Sequence, residues 1–301
     1  MPNLILLLLC LLIGILLQNV STFPKNAHLV LNSFIIYVCL PALTLVHTTQ
    51  IRFQSSQILP VLVPYLLYVG SALFFGILSP KLGFDRGTTG ALTITAGISS
   101  VSFVGFPIFE MLYGHAGLQL GILMSQAGSF VVCGTLGIVT ASYYSSSEPS
   151  LSKMIKGIFS FPPFIAFCLA LIINVLGYPL PKPMMQLLEK IGSPFSIIAL
   201  VSVGLQISFK WKALPLKPLL WGLGYKLVLA PIFIYVLYVL ILGQHNQLGQ
   251  LCVLAAGIGS MNTATIIAIN HNLNPKLASL MVGIGIPLSL GTLIIIYFLI
   301  H

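Results

Sequence analysis

The chain has little charge, and acid is its scarcest component. Charged residues make up 6% of its 301 residues, and only four residues are acidic (Asp85, Glu110, Glu148 and Glu189). A soluble domain of this size cannot cover its surface with so few charges, so that class is excluded. With the acids scattered there is no carboxylate pair for acid–base catalysis. There is also no Walker glycine loop and no His-Glu-x-x-His, so no enzyme constellation is present and an ATP-driven machine is excluded. The five cysteines (Cys10, Cys39, Cys133, Cys168 and Cys252) contain no Cys-x-x-Cys spacing and all fall within apolar runs. Neither a zinc site nor a disulfide framework is expected, nor any other metal or cofactor. The thirteen Lys and Arg are dispersed, with no basic tract and no interleaved aromatic stripe, which excludes a nucleic-acid partner.

What the chain does have is hydrophobicity: 57% of its residues are hydrophobic and its mean hydropathy is +1.06. Apolar runs of about 20 residues recur from end to end, each long enough to cross a bilayer. In lipid the backbone must satisfy its own hydrogen bonds, so these runs are helices. The short alternating strands of a transmembrane barrel are missing. The expected fold is an all-α membrane protein with ten spans, near 3–19, 28–48, 58–79, 88–113, 116–143, 157–177, 188–208, 217–242, 248–271 and 277–299. The first of these lacks the positive leader and small-residue cleavage site of a signal peptide and is read as a span.

Charge placement predicts orientation. Lys25, Lys81, Arg86, Lys153, Lys156, Lys210, Lys212, Lys217 and Lys276 fall in loops after odd-numbered spans, against Arg52, Lys182 and Lys190 on the other side. That bias puts the odd loops in the cytoplasm and both termini outside, in a plasma (inner) membrane.

An internal echo carries the functional reading. Gly97-Ile98-Ser99-Ser100 and Gly257-Ile258-Gly259-Ser260 sit 160 residues apart, each deep in an apolar run. Five spans plus five spans gives halves of opposite orientation, 1–145 and 146–301, and so an inverted repeat with broken helices four and nine crossing at mid-membrane. Paired interruptions of this kind mark a substrate site and an alternating-access mechanism. In the first copy Pro107 is expected to break or kink the helix near Phe103, with Gly105 opening the backbone and Ser99, Ser100 and Ser102 offering hydrogen bonds. In the second, Gly257 and Gly259 loosen the chain beside Asn262, Thr263 and Thr265. Opposed half-helix N-termini at such a crossing favour an anion.

Four further polar residues stand out. Glu110, whose repeat counterpart is Asn270, either reaches membrane depth and couples an ion, or faces water at a span end. Lys226, the single base inside a span, either offsets charge at the crossing and attracts an anion, or snorkels to the surface. Gln126 either lines a pathway or makes a structural bond.

The wording of several segments is specific. Leu31-Asn32 through Leu40-Pro41-Ala42-Leu43, Val104-Gly105-Phe106-Pro107-Ile108 through Leu112-Tyr113-Gly114, and Ile267-Ala268 through Asn272-Leu273-Asn274-Pro275-Lys276 resemble, in order, segments of the auxin efflux carrier family. The resemblance runs over nearly the whole chain. It implies a fold similar to bile acid symporters, with spans 1, 2, 6 and 7 as a scaffold and spans 3–5 and 8–10 as a mobile transport domain working by an elevator motion. It also implies a homodimer through the scaffold. Where family members often carry Asn before the crossing glycine, this chain has Ser100, which leaves the identity of the anion open. The expected activity is secondary transport of a small organic anion (auxin- or malonate-like), with H+ or Na+ as coupling ion. The alternatives are a sodium- or proton-coupled symporter of another solute class and a non-transporting, carrier-like receptor.

Overall fold

The computed structural model describes residues 2–24, 26–51, 54–145, 152, 155, 158–206 and 215–300. Lys25, Arg52, Glu148, Lys153, Lys156, Lys210 and Lys212, which enter the orientation argument, lie outside the described residues. Among the described residues the helical stretches that build the fold are α1 (Pro2–Leu17), α2 (Ala27–Thr49), α3 (Ser55–Leu82), α4 (Arg86–Gly97), α5 (Val101–Ser145), α6 (Pro162–Val175), α7 (Lys182–Gln206), α8 (Leu216–Ile241), α9 (Gln247–Gly257), α10 (Asn262–Asn270) and α11 (Pro275–Ile300). No strand occurs among the described residues. Of these stretches α2, α3, α5, α7, α8 and α11 are long and apolar enough to cross a membrane.

The burial pattern is that of a protein in lipid. Leu16, Leu73, Ile77, Val175, Phe298 and Leu299 are exposed, whereas Ser71, Thr93, Thr95, Ser202 and Lys226 are buried. Apolar side chains facing out cost nothing where the solvent is hydrocarbon, and polar groups collect where they can find partners.

The helices pack in two groups. α1 lies along α7, and α2 packs against α6 and α7. The α1–α7 contact is close because it is glycine on glycine: a Cβ on Gly14 would stand 2.8 Å from Gly204 Cα. Asn174 of α6 donates to the carbonyls of Thr48, Thr49 and Ile51 at 2.9–3.1 Å, satisfying the open end of α2. The second group is built from α3, α4, α5, α8, α9, α10 and α11, with α4 against α3, α10 and α11, and α9 against α3, α8 and α11. Two N-caps lock it at one end. Asp85 accepts from Thr88 N at 2.6 Å to start α4, and Asn274 starts α11 while donating to Thr88 Oγ1 at 2.8 Å.

Prolines shape the long helices in a repeated way. Pro41, Pro107 and Pro231 each follow a five-residue π-helical turn, at Ile35–Cys39, Val101–Gly105 and Tyr225–Leu229. In each, the residue before the proline bonds back five positions, Leu40 to Ile35, Phe106 to Val101 and Ala230 to Tyr225. The proline ring would clash with the carbonyl four residues back, and one extra residue in the turn relieves that clash. Of the break or kink expected near Phe103, the structure shows a widened turn ahead of Pro107, and the break in the chain lies at residues 98–100. α5 itself turns at Gly114, where φ is +63°. Past that turn, added Cβ atoms on Gly117 and Gly121 would press on Phe109, so the two arms of α5 pack on each other.

Candidate functional site

α4 ends at Gly97 and α9 at Gly257, and the residues that follow are extended (Ile98 φ −118°, ψ 119°; Ile258 φ −68°, ψ 138°). The two extended pieces run antiparallel and pair. Ser100 N donates to Gly259 O at 2.9 Å and Met261 N donates to Ile98 O at 3.0 Å, placing Ser99 opposite Ser260. Helix then resumes in both, as α5 from Val101 and as α10 from Asn262.

Each partner supplies what the other lost. A backbone released from helix in a membrane interior has orphaned N–H and C=O groups, and the bridge satisfies two of each kind across the crossing. Small side chains make the approach feasible. A Cβ on Gly259 would lie 2.8 Å from Ile286 Cα, and one on Gly97 would lie 3.0 Å from Tyr68 Cδ2. Four half-helices therefore meet here. α4 and α9 arrive with their C-terminal, partly negative ends; α5 and α10 leave with their N-terminal, partly positive ends. Neither departing helix is capped by a side chain: Met261 has no oxygen to offer, and Ser100 makes no cap bond.

The hydroxyls of Ser100 and Ser260 are buried without a partner. Gln126, in the second arm of α5, is also buried, and its Oε1 is unpaired. Ser102 is buried, and Gly105 packs on Ile258 and Phe109, so the first turn of α5 sits against the second break. Lys226 of α8 is fully buried, and its Nζ donates to Ser99 Oγ at 2.6 Å. Of its two sequence readings, snorkelling to the surface is the one the structure overturns. Lys226 lies within the π turn at 225–229 and is buried together with its neighbours Tyr225 and Leu227.

Asn262 stands at the start of α10, half-buried, and donates to Gln206 Oε1 at 3.1 Å. From there a polar chain runs through the first packing group: Gln206 Nε2 to Ser202 O at 3.1 Å, and Ser202 Oγ to Asn32 Oδ1 at 2.6 Å. Sequence reasoning missed Gln206 and Ser202. Asn32 was visible as part of a family-like motif, but nothing in the sequence tied it to Asn262.

Of the other selected residues, Thr263 is half-buried beside Asn262, and its side chain makes no hydrogen bond among the described residues. Thr265 directs its hydroxyl to Ala278 O of α11 at 3.5 Å, the long end of bonding range. Glu110 lies about 15 Å along α5 from Ser100 and accepts from Ser196 Oγ of α7 at 2.9 Å. Asn270 is exposed at the far end of α10, about 12 Å from Asn262. Among the described residues, no group of three or more His, Cys, Asp or Glu could hold a metal ion.

A family model described as membrane transport protein matches residues 1–297. The chain belongs to the auxin efflux carrier family. It is 27% identical over 291 residues to an uncharacterized transporter of Methanothermobacter thermautotrophicus, covering 95% of this chain and 93% of that one. An uncharacterized transporter of Methanocaldococcus jannaschii is 25% identical over 219 residues, 70% of each chain. This family member is thus an integral, multi-pass membrane protein of the transporter class and not an enzyme.

Proposed function

We propose that this protein is a secondary carrier of a small organic anion, working by alternating access. The observation that carries the reading is the backbone bridge of Ser99 and Ser260, which joins two helix breaks and leaves the N-terminal ends of α5 and α10 uncapped beside unpaired hydroxyls. Helix N-termini in a water-poor site favour carboxylate or phosphate oxygens. Ser100, Ser102, Asn262 and Thr263 line the site in this reading, with Gly105, Pro107 and Gly259 shaping its backbone and Gln126 facing it. Thr265 and Asn270 take no part.

The two packing groups supply the moving parts. The group of α1, α2, α6 and α7 is the scaffold, and the remainder is a transport domain that slides past it with the crossing aboard. The ten spans form two inverted five-span halves, the termini face out of the cytoplasm, and the scaffold holds two copies together. Glu110, bonded to Ser196 where the two groups touch, breaks and remakes that bond during the slide.

The test is uptake of radiolabelled acetate, malonate, succinate and indole-3-acetate into proteoliposomes, with imposed sodium or proton gradients and protein-free vesicles as control. Saturable uptake of at least one acid is expected, and its gradient dependence identifies the coupling ion. Uptake of none of the acids, with saturable uptake of a neutral or cationic solute, refutes the reading.

A further inference from the structure

Lys226 presents an unusual balance of charge. Its ammonium is sealed from solvent, and its single hydrogen-bond partner among the described residues is a neutral hydroxyl, Ser99 Oγ at 2.6 Å. An ammonium has three N–H donors, so two are unspent. Among the described residues no carboxylate offsets it. Asp85 is engaged in capping α4, Glu110 is bonded to Ser196, and Glu189 is exposed on α7. A buried charge without a counter-ion is costly, and carriers keep such groups where function requires them.

The position is as telling as the burial. Ser99 is paired across the bridge with Ser260, and residues directly opposite in an antiparallel pair point to the same side, with Cβ atoms about 5 Å apart. Ser260 Oγ, buried and unpartnered, therefore flanks the ammonium. The C-terminal ends of α4 and α9, each with about half a negative charge, abut the same bridge and partly hold the cation when nothing is bound. What is missing is one full negative charge, within reach of one ammonium and two serine hydroxyls.

We propose that Lys226 is the fixed counter-charge of the carrier and that the solute supplies its missing partner: one carboxylate group, bound against Lys226 Nζ and the hydroxyls of Ser99 and Ser260. This rests on the anion-carrier reading and goes further, since it gives the solute its charge and names the residue that selects it. A solute bearing one carboxylate leaves the loaded site neutral. The corresponding amide, the same shape without the charge, is rejected because it leaves the ammonium unpaired.

The experiment uses the purified full chain in detergent and follows thermal unfolding with a thiol-reactive dye, since Cys39, Cys133 and Cys252 are buried until the fold opens. Acetate, malonate, succinate and indole-3-acetate are titrated beside acetamide and malonamide, on the unsubstituted protein and on Lys226→Met and Lys226→Gln. The expected result is an acid-specific rise in Tm, with the apparent Kd weakened at least tenfold in both variants. An equal acid-induced rise in the variants overturns the role of Lys226 and leaves the anion reading standing. Acids no more effective than amides on the unsubstituted protein overturn the anion reading, and this inference with it. Should both variants fail to fold, solid-state NMR of the unsubstituted protein decides, with 15Nζ-lysine and the 13C-carboxylate form of whichever acid raises its Tm. A carboxylate within about 4 Å of a buried lysine Nζ supports the proposal, and no such coupling overturns it.

Discussion

Replacing Gly259 with alanine tests the crossing most directly. The added Cβ would lie 2.8 Å from Ile286 Cα, 2.9 Å from Ile286 N and 3.0 Å from Gly285 C. Carbon atoms pack at about 3.5–4.0 Å, so one backbone must retreat. All three neighbours are main-chain atoms of α11, and no rotamer change relieves the clash. Overpacking of this kind costs about 1–3 kcal/mol. The retreat also strains the bond from Ser100 N to Gly259 O, now 2.9 Å, worth about 1 kcal/mol. The expected loss is about 2–4 kcal/mol, read as a shift in reversible unfolding by a denaturing detergent. Gly76→Ala is the control: it sits inside α3 with nothing within 4 Å of the new Cβ, and should be neutral or stabilising by up to about 1 kcal/mol. If Gly259→Ala is as stable as Gly76→Ala, the two breaks do not approach as described, and the site argument fails with them.

Three further outcomes are expected. Asn262→Leu strands Gln206 Oε1 at the interface of the two packing groups, and it should abolish acid uptake in proteoliposomes while the protein stays folded in the membrane; normal uptake removes Asn262 from the site. Asn174→Leu unties three carbonyls at the end of α2 and should cost about 1–3 kcal/mol in the same unfolding assay, with no loss meaning that those carbonyls find other partners. In a cysteine-free background, a cysteine replacing Lys182 should react with an impermeant maleimide added outside intact cells and one replacing Lys81 should not, the reverse pattern inverting the orientation.

Much of the membrane character was readable from composition. With so few charges and apolar runs of this length, helices in lipid are the single arrangement that satisfies the backbone. The positions of the two breaks were also readable, because glycine and serine in tandem weaken a helix wherever they occur. Pro107 announces a disturbed helix, but whether that helix breaks, kinks or widens depends on packing, and Pro41 and Pro231 show the same widening. Lys226 left two readings open because its depth in the membrane depends on which way α8 is rotated, and the hydropathy of α8 is too uniform to say.

Sequence alone determined that the chain lives in a bilayer, that its interior is helical, and that it loosens near Ser99 and again near Ser260. Those are local properties, decided by the cost of bare peptide groups in hydrocarbon and by the residues next in line. Only the tertiary structure decided that the two loose points join by a backbone bridge with Ser99 opposite Ser260, that a lysine 127 residues further along reaches the first of them, and that Asn262 looks to Gln206. Such pairings depend on helix rotation and crossing, which in a uniformly apolar chain leave almost no trace in residue order.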